Sequence, residues 1–310
     1  MIDLGLVVAR LLHYAAVTTL AGVSFFPLYA YVAIEPKELF RRRQAVLLSS
    51  ALAALLSGLL WFLCSVANMS GTWAAVADHE VLWTVLNETA FGSVWIARML
   101  LTVIILGVTA VRPFWTAMAG RDLVTACLAA VLLASLAGTG HAQIEEGWIG
   151  GVHVGSDAVH LLAAGAWLGG LVPLSHILLE YSVRDGEPLV DVDRILLRFS
   201  SMGYVAVVTL VASGLINSWF LVGSVSNLLA TQYGQILLAK LGLFAAMLAL
   251  AAANRFSLVP RMIETRAGAS GDAPMWLGRL RYHVLGEQFL GLMVLLAVSV
   301  LGSMRPAIGP

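Results

Sequence analysis

Three side chains able to hold a metal ion, His153, Asp157 and His160, follow one another at i, i+4 and i+7. At 100° per residue they fall within about 60° of one another on a helix, so two imidazoles and a carboxylate share one stripe. Such a ladder suits a cuprous or a divalent ion. A fourth group, His13, sits like His160 about ten residues, or ~15 Å, inside an apolar segment, a depth near the middle of a bilayer. A ring at that depth needs partners for its nitrogens. A ligand would serve, and so would a hydroxyl on a neighbouring helix, such as Thr18 or Ser213. His79 and His141, in polar connections, are candidate outer capture sites, and otherwise simply hydrated rings. Arg98 and Lys240 also lie within apolar segments. A charge near the bilayer centre costs about 2.5–3.5 kcal/mol, so each either reaches outward to headgroups or holds something inside: an anion, a cofactor carboxylate, or Asp157.

The elements that must carry these groups are membrane spans. Sixty per cent of the 310 residues are hydrophobic and 12% are charged, with a mean hydropathy of +0.89. Soluble domains carry about twice that charged fraction. Eight apolar segments, 4–33, 44–67, 93–111, 122–140, 152–179, 200–222, 234–254 and 285–303, each approach the ~20 residues a helix needs to cross hydrocarbon. Helices are required because lipid offers no partner to an exposed backbone. The expected fold class is therefore all-α, a polytopic membrane protein.

The connections alternate in charge. Fourteen of the eighteen Lys and Arg fall in one set, including Lys37, Arg41, Arg42 and Arg43, and Arg255, Arg261, Arg266, Arg279 and Arg281. The other set holds Asp78, Glu80, Glu88, Glu145 and Glu146, with Arg305 as its lone basic residue. The positive-inside rule makes the basic side cytoplasmic and both termini periplasmic, in a bacterial inner membrane. The acidic loop around 68–92, with Trp73 and Trp83, suits a short interfacial helix. The start, Met1-Ile2-Asp3, lacks the basic region of a cleavable signal and runs straight into a span. Cys64 and Cys127 read as buried, inert thiols, without the spacing of a zinc site or a disulfide framework. The ten methionines, Met99 among them, include no Met-x-x-Met cluster, and core packing is their expected role. There is no Walker loop, dinucleotide fingerprint or HExxH, so no enzyme is expected. Scattered basic loop anchors argue against nucleic-acid binding.

An internal repeat runs through the chain. His13, Gly22 and Pro27 are matched by His160, Gly169 and Pro173, with nine residues from His to Gly in both. Ser57-Gly58-Leu59 is matched by Ser213-Gly214-Leu215. Thr89-Ala-Phe-Gly92 leading to Ala97-Arg98 is matched by Thr231-Gln-Tyr-Gly234 leading to Ala239-Lys240. Two four-helix halves, 1–145 and 146–310, are expected to insert as parallel repeats with a site near their interface. Small residues such as Gly165, Gly169 and Gly170 permit close helix contact, within one chain or in a homo-oligomer.

The run DAVHLLAAGAWLGGL at 157–171 resembles the hallmark of the copper-resistance protein D (CopD) family. Arg198-Phe-Ser200, Ala212-Ser-Gly214, Tyr233-Gly234 with Lys240, and Asn254-Arg255 extend the resemblance over the second half. The first half shares less, chiefly His13, Gly22 and the Phe91-Gly92…Arg98 motif. The resemblance implies an inner-membrane protein that takes a copper ion from a separate CopC-like periplasmic carrier and passes it through the bilayer. His79 and His141 would capture the ion, His153, Asp157, His160 and His13 would pass it on, and Arg98 and Lys240 would organise the interior. The first segment also resembles HemJ-type membrane haem proteins. Under that alternative the histidines hold haem b, Arg98 and Lys240 pair with its propionates, and the protein is an oxidoreductase. A copper-binding scaffold without transport is the third reading.

Overall fold

A computed structural model describes residues 2–31, 35–111, 118–139, 147–183, 191–267 and 273–308. They form α1 (Ile2–Tyr29), α2 (Lys37–Ser70), α3 (His79–Glu88), α4 (Ala90–Ala110), α5 (Met118–Ala134), α6 (Gly147–Ala164), α7 (Leu171–Val183), α8 (Val192–Leu221), α9 (Val225–Ala230), α10 (Gln232–Ala253), α11 (Val259–Ala267) and α12 (Ala273–Leu301). There is no strand among the described residues. Eight helical segments are long and apolar enough to cross a membrane, one for each expected span. Two of them are composite: a π turn, Gly165–Gly169, joins α6 to α7, and another, Asn254–Leu258, joins α10 to α11. The chain is an all-α, multi-pass membrane protein.

Several helices outrun their apolar segments at the basic end. α2 begins at Lys37, α8 at Val192 and α12 at Ala273. Hydropathy ends at the first charges, but Arg, Lys and Glu are good helix formers and the backbone bonds continue through them. The acidic loop folds into a 3₁₀ turn, Trp73–Ala77, followed by α3, which Asp78 starts by accepting from the Glu80 amide at 2.9 Å.

Threonines open the third span of each half in the same way. Thr89 Oγ1 accepts from the Gly92 amide at 3.0 Å and donates to the Val85 carbonyl at 2.6 Å. Thr231 does the same with Gly234 at 3.0 Å and Asn227 at 2.6 Å. One side chain closes the preceding short helix and caps the next.

α1 runs through the middle of the molecule, packed on α2, α5, the first π turn and α12. Its contact with the π turn is backbone on backbone. A methyl group at Gly22 would fall 2.2 Å from the Gly169 carbonyl carbon, and one at Gly169 would fall 2.2 Å from the Thr18 carbonyl oxygen. With no room for any side chain, the two helical segments approach as closely as chains can. At the basic end Arg43, itself buried, pairs with Glu35 at 2.8 Å and Asp122 at 3.1 Å, tying α2 to the end of the preceding loop and to α5. Cys64 is buried as expected, whereas Cys127 is exposed, because its face of α5 turns away from the bundle.

Candidate functional site

His13 is fully enclosed, with no exposed surface. Its Nδ1 lies 3.0 Å from the Ala54 carbonyl and 3.2 Å from Ser57 Oγ on α2. Ser57 spends its own proton on the Ala53 carbonyl at 2.6 Å. A carbonyl only accepts, so the Nδ1 position carries the hydrogen and Nε2 presents a lone pair. That Nε2 is buried and has no hydrogen-bond partner. An imidazole pinned through Nδ1–H to a backbone carbonyl, with Nε2 open, is the usual arrangement of a metal-ligating histidine.

The surroundings of that nitrogen are shaped by Gly58. A methyl group there would lie 2.9 Å from the Met99 sulfur and 3.3 Å from His13 Cε1, so the missing side chain leaves room for both the thioether and the ring against α2. Trp61 flanks the imidazole at 5.4 Å between centroids. Two guanidinium groups lie over the same indole, Arg98 at 5.3 Å and Arg10 at 5.6 Å. Arg98 is 1% exposed and is held by Ser135, Nη2 donating to the carbonyl at 2.7 Å and Nε to the hydroxyl at 3.1 Å. Its charge reaches His13. It does not extend to lipid headgroups.

The surroundings of His160 resemble those of His13 at three points. His160 Nδ1 lies 3.0 Å from Ser213 Oγ and also bonds the Leu210 carbonyl, three residues before that serine, as Ala54 is three before Ser57. Gly214 stands against His160 Cε1 as Gly58 stands against His13 Cε1. Lys240, in the register of Arg98, acts electrostatically on His160 and on Asp157.

All three members of the stripe on α6 meet α8. His153, 2% exposed, stacks on Phe220 at 4.6 Å; Asp157 accepts from Asn217 Nδ2 at 3.2 Å; His160 meets Ser213. Asp157 also reaches Tyr14 on α1 and Tyr233 on α10, so its charge acts on both halves. Through Nδ1, His13 is held against α2 and His160 against α8. No three His, Cys, Asp or Glu side chains converge on one point among the described residues. His79 is exposed on α3, stacked on Trp83 at 6.5 Å, and His141 lies outside the described residues.

Two groups escaped sequence reasoning. Met99 reads as packing in the sequence, and the structure sets it against Gly58, which His13 also meets. Glu287, 2% exposed on α12, accepts from Asn254 Nδ2 at 2.7 Å and from the Trp167 indole. As a lone acid inside a span it carried a signal, since such a residue is a functional hypothesis by default.

Comparison with known proteins places these features. Residues 1–152 match a family model described as "Copper resistance protein D-like, N-terminal domain", and residues 193–301 one described as "Copper resistance protein D". The chain is 31% identical to "Copper resistance protein D" of Pseudomonas syringae pv. tomato over 309 residues, covering 97% of this chain and 96% of that one. It is 28% identical to "Inner membrane protein YebZ" of Escherichia coli (strain K12), over 96% of this chain and 97% of that one. It is 32% identical to "Copper transport protein CutJ" of Bacillus subtilis (strain 168) over 78% of this chain, a stretch that spans 44% of that protein. No solved structure matches.

Proposed function

Since the chain belongs to the copper resistance protein D family, we propose that it carries copper through the bacterial inner membrane from the periplasmic side. The acidic end faces the periplasm and a CopC-like carrier, and the basic end faces the cytoplasm. The halves 1–145 and 146–310 act as parallel repeats about the Gly22–Gly169 contact.

The observation that carries this reading is the unpartnered Nε2 of His13, with the Met99 thioether on the same glycine, Gly58, that His13 Cε1 meets. An imidazole and a thioether form a soft pair suited to Cu(I). Arg98 opposes any cation here, and opposes a monovalent ion half as strongly as a divalent one. The arrangement therefore favours Cu(I) and keeps it loosely held. A transport pathway needs that, because an ion bound too tightly does not leave. His153, Asp157 and His160 form the corresponding ladder in the second half, and His79 and His141 supply capture at the acidic end. Lys240 and Arg98 set the local charge.

The test is copper accumulation in cells expressing His13→Ala and His160→Ala at native levels. Both should accumulate markedly less, and native accumulation in both would remove these rings from the pathway.

A further inference from the structure

A second polar cluster lies away from the histidines. Glu287 forms part of the wall of a cavity of about 250 Å³, lined chiefly by apolar side chains such as Phe199, Leu248 and Val284. The cavity sits between α8, which packs on α6, and α10, which packs on α12. Arg255, Tyr204 and Phe256 also line it, the last two exposed at its edge.

The two groups that hold Glu287 both come from the π turns, Trp167 from the first and Asn254 from the second. A π turn shifts the helix register by one residue and recurs at functional sites. Here two of them aim an indole N–H and an amide at one carboxyl. Apart from Glu287, Arg255 and Tyr204 are the titratable residues lining the cavity among the described residues. Neither makes an ion pair with Glu287. One turn nearer the basic end, on the same helix face, stands His283, whose Nδ1 is buried without a partner.

Asn254 supplies the decisive detail. Its Nδ2 donates to Glu287 Oε1, yet its Oδ1 is buried and has no partner. A buried acceptor left open calls for an explanation. A carboxylate cannot satisfy it, because it only accepts; a protonated carboxyl can, because it carries an O–H. With the proton on, acid and amide each donate once and accept once.

We infer that Glu287 is a proton-binding site, loaded from the cytoplasmic side by way of His283, and that the proton is the ion coupled to copper movement. The coupling half rests on the proposed copper transport; the binding half does not. In the cycle a proton from the cytoplasmic side binds the His283 imidazole, its N–H bond breaks as the O–H bond of Glu287 forms, and the proton later leaves that oxygen to water, which restores both groups.

Two measurements on the full-length protein separate the halves. Infrared difference spectra of the purified protein without copper, taken across a pH titration, should show a protonated-carboxyl band that disappears with pH and is missing in Glu287→Gln. A native spectrum without that band, or the same band in the variant, overturns the site. In proteoliposomes loaded with Cu(I), an imposed pH gradient should drive accumulation by the native protein. Glu287→Gln should still exchange copper but lose all gradient-driven accumulation. A variant that follows the gradient like the native protein, or a native protein that follows a sodium gradient instead, overturns the coupling. If the native protein moves no copper while the band titrates, copper transport and the coupling fall and the proton site stands. Gln donates and accepts at the same positions, so a native melting temperature shows that the variant folds.

Discussion

Ser57 and Ser213, 156 residues apart in sequence, each hold an imidazole through its Nδ1, at 3.2 Å from His13 and 3.0 Å from His160. Each passes its own proton to the carbonyl four residues earlier, at 2.6 Å and 2.5 Å. Two spans in each half are tied by this bond.

The two ties should act independently. Ser57→Ala and Ser213→Ala each remove one net hydrogen bond, about 0.5–1.5 kcal/mol. Because the serines belong to separate helix pairs, the double variant should lose the sum of the two within about 0.5 kcal/mol. Denaturation of the purified protein in detergent, run on all four members of the cycle, checks this. A coupling well above that limit would mean that the rings share one site.

Met99→Leu conserves volume and should cost less than about 1.5 kcal/mol of stability. Its effect should fall on metal affinity. Competition with a Cu(I) chelator should show weakening of about tenfold, equivalent to about 1.4 kcal/mol. Unchanged affinity would leave Met99 as packing.

The Gly22 contact tolerates nothing larger. Gly22→Ala places a methyl group 2.2 Å from the Gly169 backbone, which no rotamer relieves. Forced overpacking of this kind costs about 1–3 kcal/mol, so the melting temperature should drop. Gly107→Ala is the control: nothing lies within 4 Å, and alanine favours the helix. That variant should melt at or above the native temperature.

Arg43→Ala should be the most damaging of the charge deletions. It leaves buried Glu35 without its ion-pair partner and Asp122 with only the longer pair to Arg121 at 3.9 Å, a loss of about 3–5 kcal/mol. Arg42→Ala, whose guanidinium is half exposed in its pair with Glu180, should cost at most about 1 kcal/mol. Thermal unfolding of both variants gives the comparison.

The spans were legible because hydrophobic length alone decides them, and Thr89 and Thr231 because the same threonine-to-glycine spacing recurs. The stripe from His153 to His160 was legible as a face, since helical periodicity is local. Of what it faces, only the Ser213 hydroxyl was legible, as a partner for a ring at that depth; Phe220 and Asn217 belong to another helix and leave no local trace. The same reason hides the environment of Glu287: Asn254 is 33 residues before it and Trp167 still further, and each is aimed by a π turn, a register shift that leaves no periodic trace. Met99 went unread because its neighbour is defined by a missing atom at Gly58. That His13 is held by α2 and His160 by α8 was equally hidden, since equal depth says nothing about direction.

The unequal burial of the two thiols makes the molecule ready for labelling as it stands. A lipophilic maleimide or spin probe would attach at Cys127, on the outward face of α5, and spare Cys64, enclosed between α1 and its neighbours. Motion of that helix can thus be followed by fluorescence or paramagnetic resonance in the unaltered chain.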